Sequence, residues 1–142
     1  DTTKLLLQLK ADPNTKNKYG STPLHIASSA GKVDTAGLLL QFKADPNTKN
    51  KYGYTPLYKA SSNGQVDTAR LLLQFKADPN PKNKDGYTPL HEASINGQVE
   101  TVRLLLQSNA DPNIKNKDGD TPLHLASNHE MKQLLESSMQ IE

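Results

Sequence analysis

The sequence predicts an all-α repeat solenoid, a stack of helix–turn–helix units joined by protruding turns or hairpins. Three observations predict it. The tetrad Ala-Asp-Pro-Asn occurs at 11–14, 44–47, 77–80 and 110–113, each step 33 residues long. Thr-Pro-Leu keeps the same step at 22–24, 55–57, 88–90 and 121–123. Residues 44–76 and 77–109 align without a gap and share 24 of 33 positions, so the period marks one structural unit. Hydrophobic residues make up 34% of the chain. That is low for one deep core and suits thin apolar layers shared between neighbouring units.

Taken in order, the first element is a part-unit, residues 1–10. Asp1-Thr2 aligns with Asp34-Thr35, so the chain enters within a second helix. Full units follow at 11–43, 44–76 and 77–109, and a shortened unit at 110–142. The unit 77–109 shows the logic. Thr88 is a good N-cap because its hydroxyl can accept a bond from an orphan backbone N–H. Pro89 takes the first helical position, where a missing N–H costs nothing. Leu90 and Ala93 share a face. Asn96-Gly97 breaks the helix, with Gly97 suited to a left-handed cap. A second helix begins near Gln98, and Val99, Val102, Leu105 and Leu106 form its buried stripe. Ala110-Asp111-Pro112-Asn113 stops it, since proline cannot continue a helix. The polar stretch 113–120, with Asp118-Gly119, reads as a turn. Two such helices cannot bury their apolar faces alone, and stacking solves this.

On these motifs the chain resembles the ankyrin repeat family. The family's Thr-Pro-Leu-His-x-Ala signature stands at 22–27, 88–93 and 121–126, and with Tyr58 in the His position at 55–60. The resemblance implies that the signature histidines tie backbone and Thr hydroxyls together. It also implies a partner held by the hairpin tips and the concave face of the first helices. Two departures carry expectations. Lys10, Lys43, Lys76 and Asn109 stand where the family has glycine. In a left-handed backbone each Lys costs about 1 kcal/mol, so Lys43→Gly is expected to raise the urea midpoint. Pro13, Pro46, Pro79 and Pro112 replace the family's Val and stiffen the connection. At the ends, Leu5, Leu6, Leu7 and Leu9 are expected to be partly exposed. Glu136, Ser137 and Ser138 suit a water-facing cap, with Glu136 at the Leu106 position under a three-residue deletion.

The composition narrows the function. There is no Cys, which excludes disulfides, thiol catalysis and Cys-based zinc sites. A formal charge of +2 is too balanced to imply nucleic acid or an anionic membrane. No apolar run reaches the length of a membrane span, and no signal peptide is visible. The absence of a starting Met points to a piece of something longer. An intracellular setting, cytoplasmic or nuclear, is expected, or delivery into a host cell if the source is an intracellular microbe. One His per layer cannot surround one ion. The aspartates of the tetrad repeat once per layer as turn formers. No phosphate loop, nucleophile elbow or zinc helix motif is present. The expectation is therefore no enzyme, cofactor, metal or small-molecule substrate.

Function is sought instead where the copies differ. Tyr19, Tyr52, Tyr54, Lys59, Tyr87, Glu92 and Ile95 occupy such positions, and tyrosines are enriched among interface hot spots. Lys49, Lys51, Lys82 and Lys84 belong to a ladder that includes Lys16, Lys18, Lys115 and Lys117. These eleven candidates (Tyr19, Lys49, Lys51, Tyr52, Tyr54, Lys59, Lys82, Lys84, Tyr87, Glu92, Ile95) form the expected partner-binding set. The ladder is open to three readings: solubility, an acidic protein partner, or phosphates tracked with tyrosines stacking on bases, the last disfavoured. The stripe turns acidic at one end through Asp85, Asp118 and Asp120. The leading function is a non-catalytic protein–protein interaction module. The alternative is a structural spacer in a longer array with no partner of its own.

Overall fold

The computed structural model describes residues 2–8 and 10–139. Helices α1 (Thr2–Gln8), α2 (Pro23–Ala30), α3 (Val33–Gln41), α4 (Pro56–Ser62), α5 (Val66–Gln74), α6 (Pro89–Ile95), α7 (Val99–Gln107), α8 (Pro122–Leu125) and α9 (His129–Met139) follow in order, with no strand among the described residues. The expected hairpins are therefore tight turns. They form two helical layers. The first helices α2, α4, α6 and α8 pack in sequence, as do the second helices α1, α3, α5, α7 and α9. Each first helix also packs on the second helix that follows it.

Local chemistry explains the boundaries. Thr22, Thr55 and Thr88 cap α2, α4 and α6, accepting bonds from the backbone N–H groups of His25, Tyr58 and His91. Proline then starts each of these helices in the position that needs no N–H. Left-handed Gly31, Gly64 and Gly97 end them. The second helices have no side-chain N-cap at Lys32, Gln65 or Gln98, so their position is set by packing. They stop just before Lys43, Lys76 and Asn109, whose φ angles are 73°, 68° and 72°; Lys10 stands at 70°. The left-handed expectation holds at all four sites.

The core is a row of thin layers. Leu24, Leu57 and Leu90 are fully enclosed in the first helices, Leu72 and Leu105 in the second. Of the stripe read from sequence, Val102 and Leu105 are fully buried and Val99 and Leu106 half-buried. At the first helix Leu5 and Leu6 are exposed but Leu7 is buried, against the expectation for Leu7. It occupies the face of α1 that packs toward α3 and joins the continuous core. Leu9 lies outside the described residues.

The last unit departs most. Helix α8 has a single turn, because Ala126 is already extended at ψ 131°. Asn128 then caps α9 by accepting the Met131 N–H at 2.8 Å. Met131 and Leu135, four apart, fill the core, while Glu136 and Ser137 face water and Ser138 is half-buried.

Candidate protein-binding surface

Each connecting turn is built around one asparagine. The Asn50 carboxamide oxygen accepts N–H bonds from Tyr52 and Tyr54, the Asn50 backbone N–H donates to the Tyr54 carbonyl, and Gly53 N–H returns to the Asn50 backbone carbonyl. Asn17, Asn83 and Asn116 repeat the arrangement. Gly53 is required there: φ is +83°, and a Cβ would lie 2.9 Å from the Asn83 Cα. Successive turns are joined by Lys51 N–H to the Tyr19 carbonyl and Lys117 N–H to the Asp85 carbonyl. Between the second and third turns Gly53 lies close against Asn83 and Lys84, and these contacts position Lys18, Tyr19, Lys51, Tyr52 and Lys84.

A second asparagine ladder runs beneath. Asn14 donates to the Lys43 carbonyl and accepts from Asp45 N–H; Asn47 and Asn80 do the same to the next units. The tetrad aspartates close their own turns, as Asp45 does by accepting Asn47 N–H. The repeated residues are therefore occupied in building the stack.

The histidines are occupied as well. His25 accepts Thr22 N–H at Nδ1 and donates from Nε2 to the Tyr54 carbonyl at 2.8 Å. His91 does the same between Thr88 and Asp120. Burial holds both rings below the ordinary imidazole pKa, because a charged ring loses hydration there. His124 keeps the bond from Thr121 N–H but is exposed. Among the described residues no group of three His, Asp or Glu side chains could hold a metal ion.

The expected binding residues divide by environment. Tyr19 and Tyr52 are 45% and 50% exposed. Lys49, Lys51, Lys82 and Lys84 are exposed, and Tyr54, Lys59, Tyr87 and Glu92 half-buried. Four of them meet around a residue outside the expected set, Tyr58. Its ring stacks on Tyr54 at 4.6 Å, and Tyr54 lies 5.7 Å from Tyr52. The Tyr58 hydroxyl donates to Glu92 Oε1 at 2.7 Å and accepts from Asn83. Burial, then the Glu92 bond, push its pKa far up. Lys59 Nζ rides 5.4 Å above the Tyr54 ring. Lys49 Nζ donates to the Lys82 carbonyl, one unit on. Tyr87 sits 5.5 Å from His91. Tyr19 carries Lys18 Nζ 5.1 Å above its ring, and Ile95 ends α6 as an exposed side chain. Ile26, outside the expected set, is 59% exposed. Its signal was present: it shares a varying position with Lys59 and Glu92.

This arrangement offers ring faces, cations and one carboxylate, with Tyr54, Lys59 and Glu92 oriented by their neighbours. The chain combines two helical layers, Thr-Pro helix starts, capping histidines and asparagine-bonded turns at a 33-residue step. The family model described as ankyrin repeats in three copies matches residues 1–83 and 73–142. The chain belongs to the ankyrin repeat family. Ankyrin repeats are generally protein–protein interaction modules and typically non-catalytic. No curated protein matches the chain. Among the described residues of this ankyrin repeat chain, no helix is long and apolar enough to cross a membrane.

Proposed function

We propose that this chain, divided at 1–10, 11–43, 44–76, 77–109 and 110–142, is a non-catalytic module that binds another protein. The partner lies across the concave face of the first helices and the turn tips, contacting Tyr19, Lys49, Lys51, Tyr52, Tyr54, Lys59, Lys82, Lys84, Tyr87, Glu92 and Ile95. One observation carries the reading: side chains at the positions that vary between units gather into an ordered group on one face. Tyr58 holds Tyr54 and Glu92 there, and Tyr52 and Lys59 lie against Tyr54. Ordering them in advance lowers the entropy cost of association. Tyr54 and Glu92 serve mainly to pre-organise the surface. Tyr19 and Tyr52, with about half their surface free, are the better anchors.

Affinity capture from the native host, with the chain and its Tyr19→Ala/Tyr52→Ala variant compared side by side, tests this. Both tyrosines are exposed, so the variant keeps its fold. A protein retained by the chain and lost by the variant supports the reading. A chain that retains no protein specifically is a spacer, and the reading falls.

A further inference from the structure

We propose that the groove between α2 and α4 takes one apolar side chain of an extended, acidic protein segment. The proposal rests on the protein-binding reading above and narrows it to a ligand chemistry.

The groove measures about 330 Å³, and Ser21, His25, Ile26, Ser29, Asn50 and Lys59 line it. It is open because of two small choices. Where this unit has Ser21 and His25, the next has Tyr54 and Tyr58, whose rings stack 4.6 Å apart. Bulk in that unit replaces space in this one. Apart from Lys59, the polar residues of the walls already have partners. Asn50 Nδ2 donates to Ser21 Oγ, and both ring nitrogens of His25 are bonded to backbone groups. What remains available is hydrocarbon, chiefly Ile26. An exposed aliphatic residue in a groove with paired polar walls favours an apolar occupant.

The charges around it select the flanks. Lys59 stands at the rim, and Lys18, Lys49 and Lys51 lie on the adjoining turns. Among the described residues none of these four forms an ion pair. The pairs that do form join Arg70 to Asp67 and Arg103 to Glu100 and Glu130. Uncompensated like charges along one edge attract a carboxylate-bearing partner. The cation excess of that edge falls toward the later units, where Asp85, Asp118 and Asp120 offset Lys82, Lys84, Lys115 and Lys117, so a phosphate backbone running its whole length would meet no continuous row of cations. A protein segment with its acidic portion over α2 and α4 is therefore favoured over a single-stranded nucleic acid. Spacing completes the description. Packed helices lie about 8–10 Å apart, and an extended polyproline II chain advances about 3.1 Å per residue with every third side chain on one face. Carboxylates roughly three residues apart would meet the lysines of successive units.

The test is selection of twelve-residue peptides displayed on phage against the intact chain, followed by titration of a labelled synthetic winner. Expected winners carry one Leu, Ile or Met flanked by Asp or Glu at about three-residue intervals. Ser21→Tyr and Lys59→Glu should each weaken the winner at least about tenfold, the scale of one buried apolar side chain or one desolvated charge. Both substitutions have precedent in this chain: Tyr87 stands at the Ser21 position and Glu92 at the Lys59 position. Asn116, opposite Tyr87, already tolerates an unpaired Nδ2. Circular dichroism and the urea midpoint confirm that the variants fold. Winners without acidic or aliphatic enrichment, no winners, or unchanged affinity for Ser21→Tyr would overturn the proposal. Tighter, steeply salt-dependent binding of a twelve-nucleotide oligothymidylate would overturn it as well. None of these results bears on whether a host protein is lost with Tyr19 and Tyr52, so the two readings fail separately.

Discussion

Replacing Lys43 with glycine should stabilise the protein, by an amount that follows from the backbone. Lys43 sits at φ 73°, where a Cβ crowds the neighbouring carbonyl at a cost of about 1–2 kcal/mol. Its structural bonds are all backbone bonds: N–H to the Leu40 carbonyl, and its carbonyl to Asn14 Nδ2. Glycine keeps both. The side chain is exposed, so little packing is lost. Against the gain stands the greater freedom of glycine in the unfolded chain, about 0.4–1 kcal/mol. The net is a stabilisation of about 0.5–1 kcal/mol. Lys76, at φ 68°, is bonded to a different asparagine, Asn47. The two sites should add, to about 1–2 kcal/mol, or roughly 2–8 °C in midpoint at this chain length. Urea unfolding followed by far-ultraviolet circular dichroism reads the change, with an unchanged slope showing that the denatured state is not the cause. Lys43→Ala is the decisive control, since it removes the charge but keeps the Cβ. Asn tolerates this conformation, as Asn109 does at φ 72°, so Lys43→Asn should fall between. A glycine variant no more stable than the alanine variant would refute the reasoning.

Two further outcomes are expected. His25 and His91 are held below their ordinary pKa by burial, so the unfolded state takes up protons first as pH falls. Stability should be flat above neutrality and drop below the ordinary imidazole value of about 6.5. It should level off once the folded rings protonate, with a slope of at most about 1.4 kcal/mol per pH unit for each ring; urea midpoints between pH 5 and 8 check this, and a midpoint that rises on acidification contradicts it. Tyr58→Phe leaves Glu92 and Asn83 Nδ2 without their shared hydroxyl and should cost about 1–2 kcal/mol. A double-mutant cycle with Glu92→Ala should then show coupling between residues 34 apart in sequence, and strict additivity would argue against the pairing.

Much of the fold is legible because its signals are local. Thr88 and Pro89 start a helix, and Gly97 ends it, through contacts within a few residues. The left-handed lysines were legible from their alignment with glycine sites. The shortened last unit was legible only as a deletion. Whether the lost residues came from α8 or α9 depended on Met131 and Leu135 sharing a helical face, four apart, beneath α7. The candidate surface was legible as a set of varying positions, with no indication of which were buried. Tyr54 and Glu92 looked equivalent to Tyr52 in the sequence; in the structure a stack and a hydroxyl bond hold them.

The sequence by itself determined the stack. Caps and turn-forming asparagines act over a few residues, and units repeating at a 33-residue step bring matching apolar positions together when stacked in register. The tertiary structure decided which varying side chains touch, because residues a full unit apart become neighbours only after stacking. Lys49 reaches Lys82, Tyr58 reaches Glu92, and Ser21 leaves open beside Ile26 the space that Tyr54 and Tyr58 fill one unit later. No local rule connects those pairs; the packing of one helix layer against the next does.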